Sequence, residues 1–143
     1  MNFIYQHLPF FLRVAALTQL GVALLNLSLI RIMRWQSDLE RMPLLLREVF
    51  RIHVYFISVT LAIFGVLTWR FADAIARNGH PLCTWLALGI GCFWGVRSIM
   101  QWSHYNTSHW RGDSLRTAIH WMLFLGYGAL AAVYSVAAAG GVK

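Results

Sequence analysis

The chain has 143 residues, of which 59% are hydrophobic and only 12% are charged, and its formal net charge is +7 at pH 7. Soluble domains carry about 25% charged residues, so this composition excludes an ordinary soluble domain. The positive charge comes almost entirely from arginine. Nucleic-acid binding is also excluded, because the apolar chain leaves no basic face outside a membrane on which to build it.

Four apolar stretches, each long enough to cross a bilayer, occupy most of the sequence. A helix needs about 20 apolar residues to span the hydrocarbon core, and the connections between the stretches are short, polar and rich in arginine. We therefore predict an all-α integral membrane protein, a four-transmembrane-helix bundle that forms a single membrane domain over residues 1–143. The predicted helices cover approximately residues 8–30, 43–70, 82–105 and 115–139.

Local signals mark the ends of these helices in chain order. No small-residue cleavage site follows the first apolar run, so we expect it to be retained as a helix. Ser37 to Glu40 has the capping-box pattern, which predicts a short helical turn before the second long helix. The turn sequence Asn78 to Pro81 precedes the third helix, and Gly112 to Ser114 precedes the fourth. Tryptophans fall near the predicted surfaces, except Trp94, which should be packed within the bilayer.

The distribution of basic residues predicts an orientation. Seven of them lie in the first and third connections: Arg31, Arg34, Arg41, Arg47, Arg51, Arg111 and Arg116. Four lie on the opposite side: Arg13, Arg70, Arg77 and Lys143. Because cytoplasmic loops carry an excess of Lys and Arg, we predict that both termini lie outside. The first and third connections then lie in the cytoplasm, in a bacterial-type inner membrane.

The third predicted helix carries the sharpest polar feature of the chain. Arg97, Gln101, His104 and Tyr105 are spaced so that they share one helical face. Arg97 lies inside the apolar run that begins at Leu82, and hence within the expected membrane span. A charge within a membrane is costly and marks a candidate functional site, although an arginine side chain can also extend to the lipid headgroups.

These side chains predict a polar pocket at the cytoplasmic membrane face. Arginines bind carboxylate and phosphate groups, tyrosine and histidine donate hydrogen bonds or protons, and the apolar helices would hold a lipid or quinone tail. The predicted ligand is anionic or amphipathic, with membrane lipid as the expected partner, while enzymatic activity and cofactors stay open. The predicted ligand-binding residues are Arg51, Arg97, Gln101, Tyr105 and His120.

Two other classes of function fit the same sequence. Histidines on three helices at similar depth would bind haem or one metal ion, and the candidate ligands are His53, His104 and His120. A small four-helix chain would also serve as a noncatalytic subunit of a larger membrane complex, or form a homo-oligomer. Gly91 and Gly95 form a small-residue motif of the kind that lets membrane helices approach closely.

Arg51-Ile52-His53, at the start of the second long helix, resembles the R-x-H within the R-A-H-x-N-x-x-E motif of the membrane-associated eicosanoid and glutathione enzymes. That family is similar in length, helix number and orientation. The resemblance implies a trimer that uses glutathione and an arginine-activated thiolate. The chain departs from the motif at Tyr55 and Ser58, which stand where the family has the Asn and Glu that bind glutathione.

Overall fold

The computed structural model describes residues 2–32, 34–103 and 114–140. Within them the chain forms five helices: α1 Asn2–Ile32, α2 Gln36–Glu40, α3 Leu44–Arg77, α4 Pro81–Ser103 and α5 Ser114–Ala139. All except α2 are long and apolar enough to cross a membrane. The predicted fold class is therefore confirmed, and the protein is an all-α, multi-pass membrane protein with four membrane-spanning helices.

Two helices extend beyond their predicted ends. α1 begins at Asn2 instead of residue 8, and α3 continues to Arg77 instead of residue 70. The part of α3 from Leu44 to Arg70, before the non-helical Phe71, is about 40 Å long, over the roughly 30 Å of a hydrocarbon core. Its ends therefore reach past the apolar run from which its length was predicted. The predicted end of the third helix at residue 105 lies outside the described residues.

The short helix α2 starts differently from the prediction. It begins at Gln36, its N-cap residue is Trp35, and no side chain forms a capping hydrogen bond. The capping box predicted from Ser37 is therefore wrong, because that residue already lies inside the helix. Leu39 is 5% exposed, and burial of its apolar side chain stabilises this short helix.

The helices contribute to two compact units. The first unit comprises Met1–Leu12 and Ala72–Lys143, and the second comprises Arg13–Phe71. In α3 the boundary falls where the backbone departs from helical geometry, because Phe71 has φ −113° and ψ 17°. In α1 the boundary follows Pro9, which lacks an N–H and so removes one helical hydrogen bond.

Large apolar side chains form the outer surface of the long helices, at the spacing of a helical face. Side chains that are more than half exposed include Phe56, Val59, Ile63 and Val66 of α3, and Leu82, Trp85, Val96 and Ile99 of α4. Such continuous apolar surfaces are rare on soluble monomers. In a bilayer the same side chains contact hydrocarbon, so their exposure agrees with membrane insertion.

In the first unit, α4 packs against α5. A Cβ added at Gly91 would lie 3.3 Å from Cβ of Tyr134, so this glycine allows the two backbones to approach closely. A Cβ added at Gly95 would meet no heavy atom of the described chain within 4 Å. Of the two glycines in the predicted motif, Gly91 therefore serves the contact with α5. Trp94 is 1% exposed, which confirms that it is packed inside.

Asn78 connects three helices of the first unit at the end of α3. Its φ of 49° is left-handed, a conformation that asparagine tolerates after a helix C-terminus. Its Nδ2 donates hydrogen bonds to the carbonyl oxygens of Ala137 and Ala138 in α5, at 2.7 and 3.3 Å. The hydroxyl of Thr84 in α4 donates to its Oδ1 at 2.6 Å. One side chain at the end of α3 thus satisfies two backbone carbonyls of α5 and a hydroxyl group of α4.

In the second unit, α1 and α3 approach each other closely at Gly65. A Cβ added there would lie 2.8 Å from Cγ of Leu20 and 3.1 Å from the carbonyl oxygen of Ala16. Both distances are shorter than ordinary van der Waals contact. Ala16 is fully buried, so small residues on both helices allow the backbones to meet.

We predict that Gly65→Ala destabilises the protein, because the new methyl group overlaps α1, and overpacking of this kind costs about 1–3 kcal/mol. The free energy of unfolding, measured by denaturant titration in mild detergent, provides the test. The matched control is Gly21→Ala, where an added Cβ meets nothing within 4 Å, and alanine should be neutral or slightly stabilising in a helix. Equal free energies for the two variants would contradict the close approach at Gly65.

Candidate functional site

The second unit contains a cleft where α1 ends, α2 lies and α3 begins. Its volume is approximately 380 Å³, within the range of about 300–1,000 Å³ typical of ligand pockets. We call it the interfacial cleft, because it lies at the arginine-rich ends of membrane helices. Its lining residues are Leu27, Ser28, Ile30 and Arg31 of α1, Gln36 of α2, and Arg51, Val54 and Tyr55 of α3.

Two guanidinium groups line the interfacial cleft. Arg31 comes from the last turn of α1 and Arg51 from the second turn of α3. No acidic side chain lines the cleft, and neither arginine forms an ion pair within the described part of the chain. Because arginine stays protonated in proteins, the cleft holds two positive charges that its lining does not neutralise. Carboxylate and phosphate oxygens are the groups that a guanidinium binds best.

One helical turn closer to the membrane middle than its arginines, the interfacial cleft carries apolar and polar side chains at similar depth, with Leu27 beside Ser28 and Val54 beside Tyr55. Leu27 precedes Arg31 by four residues, and Val54 follows Arg51 by three. On both helices the apolar residue therefore lies about one turn, or about 5 Å, closer to the middle of the membrane span. Leu27 and Val54 thus offer apolar contacts to a molecule whose charged group contacts the arginines and whose apolar part runs into the bilayer.

The turn between α1 and α2 gives the cleft its third side. The N–H of Trp35 donates to the carbonyl oxygen of Ile30 at 3.1 Å, and the N–H of Arg34 donates to that of Arg31 at 3.3 Å. This is the Schellman pattern of a helix C-terminus, which requires a left-handed residue. Arg34 adopts it with φ 56°. These bonds set the direction in which the chain leaves α1 and bring Gln36 to the cleft.

A polar network joins α1 to α3 beside the cleft. Nδ2 of Asn26 donates to the carbonyl oxygen of Val54 at 3.1 Å and to Oγ of Ser58 at 2.9 Å. The Ser58 hydroxyl donates to the same carbonyl oxygen at 2.8 Å. Since Val54 lines the cleft, the network holds one wall of the cleft against the helix that carries Arg31. Asn26 and Ser58 are thus the residues that position the site.

The first unit holds Arg97 in a different environment. Its guanidinium carbon lies 4.9 Å from the ring centroid of Tyr127 on α5, which is a cation–π contact. Tyr127 in turn stacks on Trp94, with ring centroids 5.1 Å apart and ring planes at 27°. Both rings are buried. Arg97 therefore has a partner inside the protein that does not require a carboxylate.

One turn further along α4, Gln101 contacts α5. Nε2 of Gln101 lies 3.0 Å from Nδ1 of His120, so the amide donates when Nδ1 is unprotonated. Gln101 is 2% exposed. Its Oε1 is buried, and among the described residues no group donates a hydrogen bond to it. Leaving such an acceptor unpaired costs about 1–3 kcal/mol, so this part of the α4–α5 contact is not fully satisfied.

The predicted ligand-binding residues fall into separate parts of the structure. Arg51 lines the interfacial cleft in the second unit, whereas Arg97, Gln101 and His120 belong to the first unit. Within the first unit, these three residues are joined to one α4–α5 contact through the Tyr127 ring and the Gln101–His120 hydrogen bond. Tyr105 lies outside the described residues. The role of all five in one ligand site stays a prediction.

Four polar residues of the interfacial cleft are absent from the predicted site: Ser28, Arg31, Gln36 and Tyr55. A signal exists for Tyr55, because it follows Arg51 by four residues and therefore shares its helical face. No sequence pattern connects Arg51 or Tyr55 to Arg31. The geometry of the turn after α1 and the packing of α1 on α3 decide which arginines share a cavity.

The histidines proposed as metal or haem ligands are also dispersed. His53 lies in the second unit and His120 in the first, and His104 lies outside the described residues. Over residues 2–32, 34–103 and 114–140, no group of three or more His, Cys, Asp or Glu side chains is arranged to hold a metal ion. Metal or haem binding stays a prediction of the sequence.

Comparison with known proteins gives no relative: no protein family, no curated protein and no solved structure matches this chain.

We predict that Asn26→Leu destabilises the second unit, because it removes the hydrogen bonds to α3. Such bonds between membrane helices contribute about 0.6 kcal/mol on average and up to about 2 kcal/mol. The free energy of unfolding in mild detergent is the measurement. Thr18→Val is the control, because the Thr18 hydroxyl donates only within α1, to the carbonyl oxygen of Val14 at 2.9 Å. If both variants lose the same stability, the network does not join the helices.

We predict an energetic coupling between Arg97 and Tyr127. A double-mutant cycle with Arg97→Met and Tyr127→Leu should give a favourable coupling of about 0.5–2 kcal/mol in unfolding free energy, the range of cation–π contacts. In the control cycle, Tyr134→Leu replaces Tyr127→Leu, and coupling should be absent because Tyr134 lies two turns further along α5. A coupling near zero in both cycles would refute the contact.

Proposed function

We propose that this small multi-pass membrane protein binds an anionic, amphipathic ligand in the interfacial cleft. Arg31 and Arg51 contact the charged group, and Ser28, Gln36 and Tyr55 supply neutral hydrogen-bonding groups around it. The apolar part of the ligand lies against Leu27 and Val54, about one turn closer to the middle of the bilayer than the arginines.

The observation that supports this function is the pair of arginines in one cavity without a lining carboxylate. Both arginines are exposed, so their side chains are accessible to a ligand. No Asp or Glu lines this cleft to pair with them. An anionic ligand supplies that partner, and basic pockets between membrane helices are known to hold anionic lipid headgroups.

The same ligand class agrees with the orientation predicted from the basic residues. In that orientation the interfacial cleft opens at the cytoplasmic leaflet of an inner membrane, which is the leaflet rich in anionic lipid. A homo-oligomer, or association with a larger membrane complex, stays a prediction of the sequence, as does the cytoplasmic position of the cleft.

Loss of either cleft arginine should weaken binding of an anionic lipid. We expect Arg31→Gln and Arg51→Gln each to weaken binding of dioleoyl phosphatidic acid about tenfold, because a charge-assisted hydrogen bond is worth about one order of magnitude or more. Native mass spectrometry of the purified chain in mild detergent measures the lipid-bound fraction. Dioleoyl phosphatidylcholine, which has the same acyl chains and no net charge, should bind more weakly and equally to all variants.

Arg47→Gln is the matched control, because Arg47 lies one turn before Arg51 on α3 and does not line the cleft. It removes the same charge from the same helix, and binding of phosphatidic acid should stay within about twofold of the unmodified protein, the size of a weak surface effect. If Arg47→Gln weakens binding as much as Arg51→Gln, the arginines act only through net charge, and the cleft is not the binding site.

A further inference from the structure

The charge and the shape of the interfacial cleft restrict the kind of anion it can bind. We propose, on the basis of the function proposed for this cleft, that it selects a lipid ending in a phosphate monoester over lipids with a singly charged phosphodiester headgroup. Phosphate monoester and phosphodiester lipids can carry identical acyl chains, so the distinction concerns only the group that contacts Arg31 and Arg51.

The first reason is the match of charges. The cleft holds two guanidinium groups, and no acidic side chain lines it. A phosphate monoester carries about −1.5 to −2 charges at pH 7, which compensates both arginines. A phosphodiester carries a single charge, so one arginine would stay uncompensated in the presence of the ligand. Only the monoester can therefore compensate the positive charge of the second arginine.

The second reason is the number of hydrogen-bond acceptors. A phosphate monoester has three terminal oxygens, and each guanidinium can donate two parallel hydrogen bonds to a phosphate. The hydroxyl groups of Ser28 and Tyr55 and the amide of Gln36 add neutral donors on the remaining sides of the cleft. In a phosphodiester, the second ester group occupies one of the three oxygens. It would therefore offer these donors one acceptor fewer and form fewer charge-assisted hydrogen bonds with the arginines.

The third reason concerns the source of the phosphate, which we assign to a membrane lipid. On α1 and on α3 one apolar lining residue each, Leu27 and Val54, lies about one turn deeper in the span than the arginine. A soluble phosphate ester would contact only the polar residues of the cleft and would gain nothing from Leu27 and Val54. A lipid tail covers them and continues into the surrounding hydrocarbon.

Competition between two lipids tests the selectivity directly. The full chain, purified in mild detergent, is titrated with an equimolar mixture of dioleoyl phosphatidic acid and dioleoyl phosphatidylglycerol, and native mass spectrometry reads the ratio of the two bound forms. We expect at least a tenfold preference for phosphatidic acid, the effect of about one charge-assisted hydrogen bond. A third arm adds glycerol 3-phosphate as a soluble competitor, which should not displace the lipid at equal concentration.

Variants separate selectivity from simple charge attraction. Arg31→Gln and Arg51→Gln should each reduce the preference to within about twofold of unity, because a single remaining arginine matches either headgroup. Arg51→Lys keeps the charge and loses the planar fork, so it should retain part of the preference. Arg47→Gln should retain all of it. Monodisperse elution and an unchanged melting temperature show that each variant is folded.

Each outcome supports or overturns a defined statement. Equal binding of the two lipids, with both weakened by Arg31→Gln and Arg51→Gln, would overturn the monoester selectivity and leave the proposed function intact. Binding that no cleft arginine affects would overturn both. Displacement of phosphatidic acid by an equal concentration of glycerol 3-phosphate would show that the site takes a soluble phosphate ester and would overturn the assignment to a lipid.

Discussion

Hydrocarbon offers no hydrogen-bonding partner to a peptide group, and this constraint governs the whole protein. A helix satisfies it because each N–H and C=O bonds within the same segment. Polar side chains within the helices likewise need hydrogen-bonding partners inside the protein. Asn26 donates to α3, and Asn78 donates to the last turn of α5. The described helices are therefore joined at a few positions by hydrogen bonds to backbone carbonyls, and elsewhere by small residues such as Gly65 and Gly91 that permit close approach.

The same constraint distinguishes the arginines of the chain. Arg97 lies within a membrane span and rests on the aromatic ring of Tyr127, which attracts a cation without carrying a charge. Arg31 and Arg51 lie near helix ends and share a cavity, and within the described chain neither forms a cation–π contact or an ion pair. An arginine that already has a protein partner serves helix packing. Two arginines that share a cavity and have no such partner are suited to binding a ligand.

Two structural features, the turn after α1 and the hydrogen bonds of Asn26, set the geometry of the interfacial cleft. The Schellman turn after α1, with Arg34 in the left-handed conformation, directs the chain so that Gln36 reaches the cavity. The hydrogen bonds from Asn26 hold α1 against the part of α3 that carries Val54. Neither feature contacts a ligand. Both decide the distance between the helices that carry the two arginines, so the binding groups are positioned by residues outside the cleft.

The fold class could be predicted from the amino-acid sequence alone, because about 20 consecutive apolar residues have few stable alternatives to a membrane helix. The sequence also singled out Trp94 as an internal tryptophan and Arg51 and Arg97 as polar groups of interest. It did not determine which of them share a site. A helical repeat shows which residues share a face of one helix, whereas contacts between helices depend on turn geometry and on close approach at particular residues. Arg31 and Arg51 are 20 positions apart in the sequence, and only the packing of α1 on α3 brings both to one cavity.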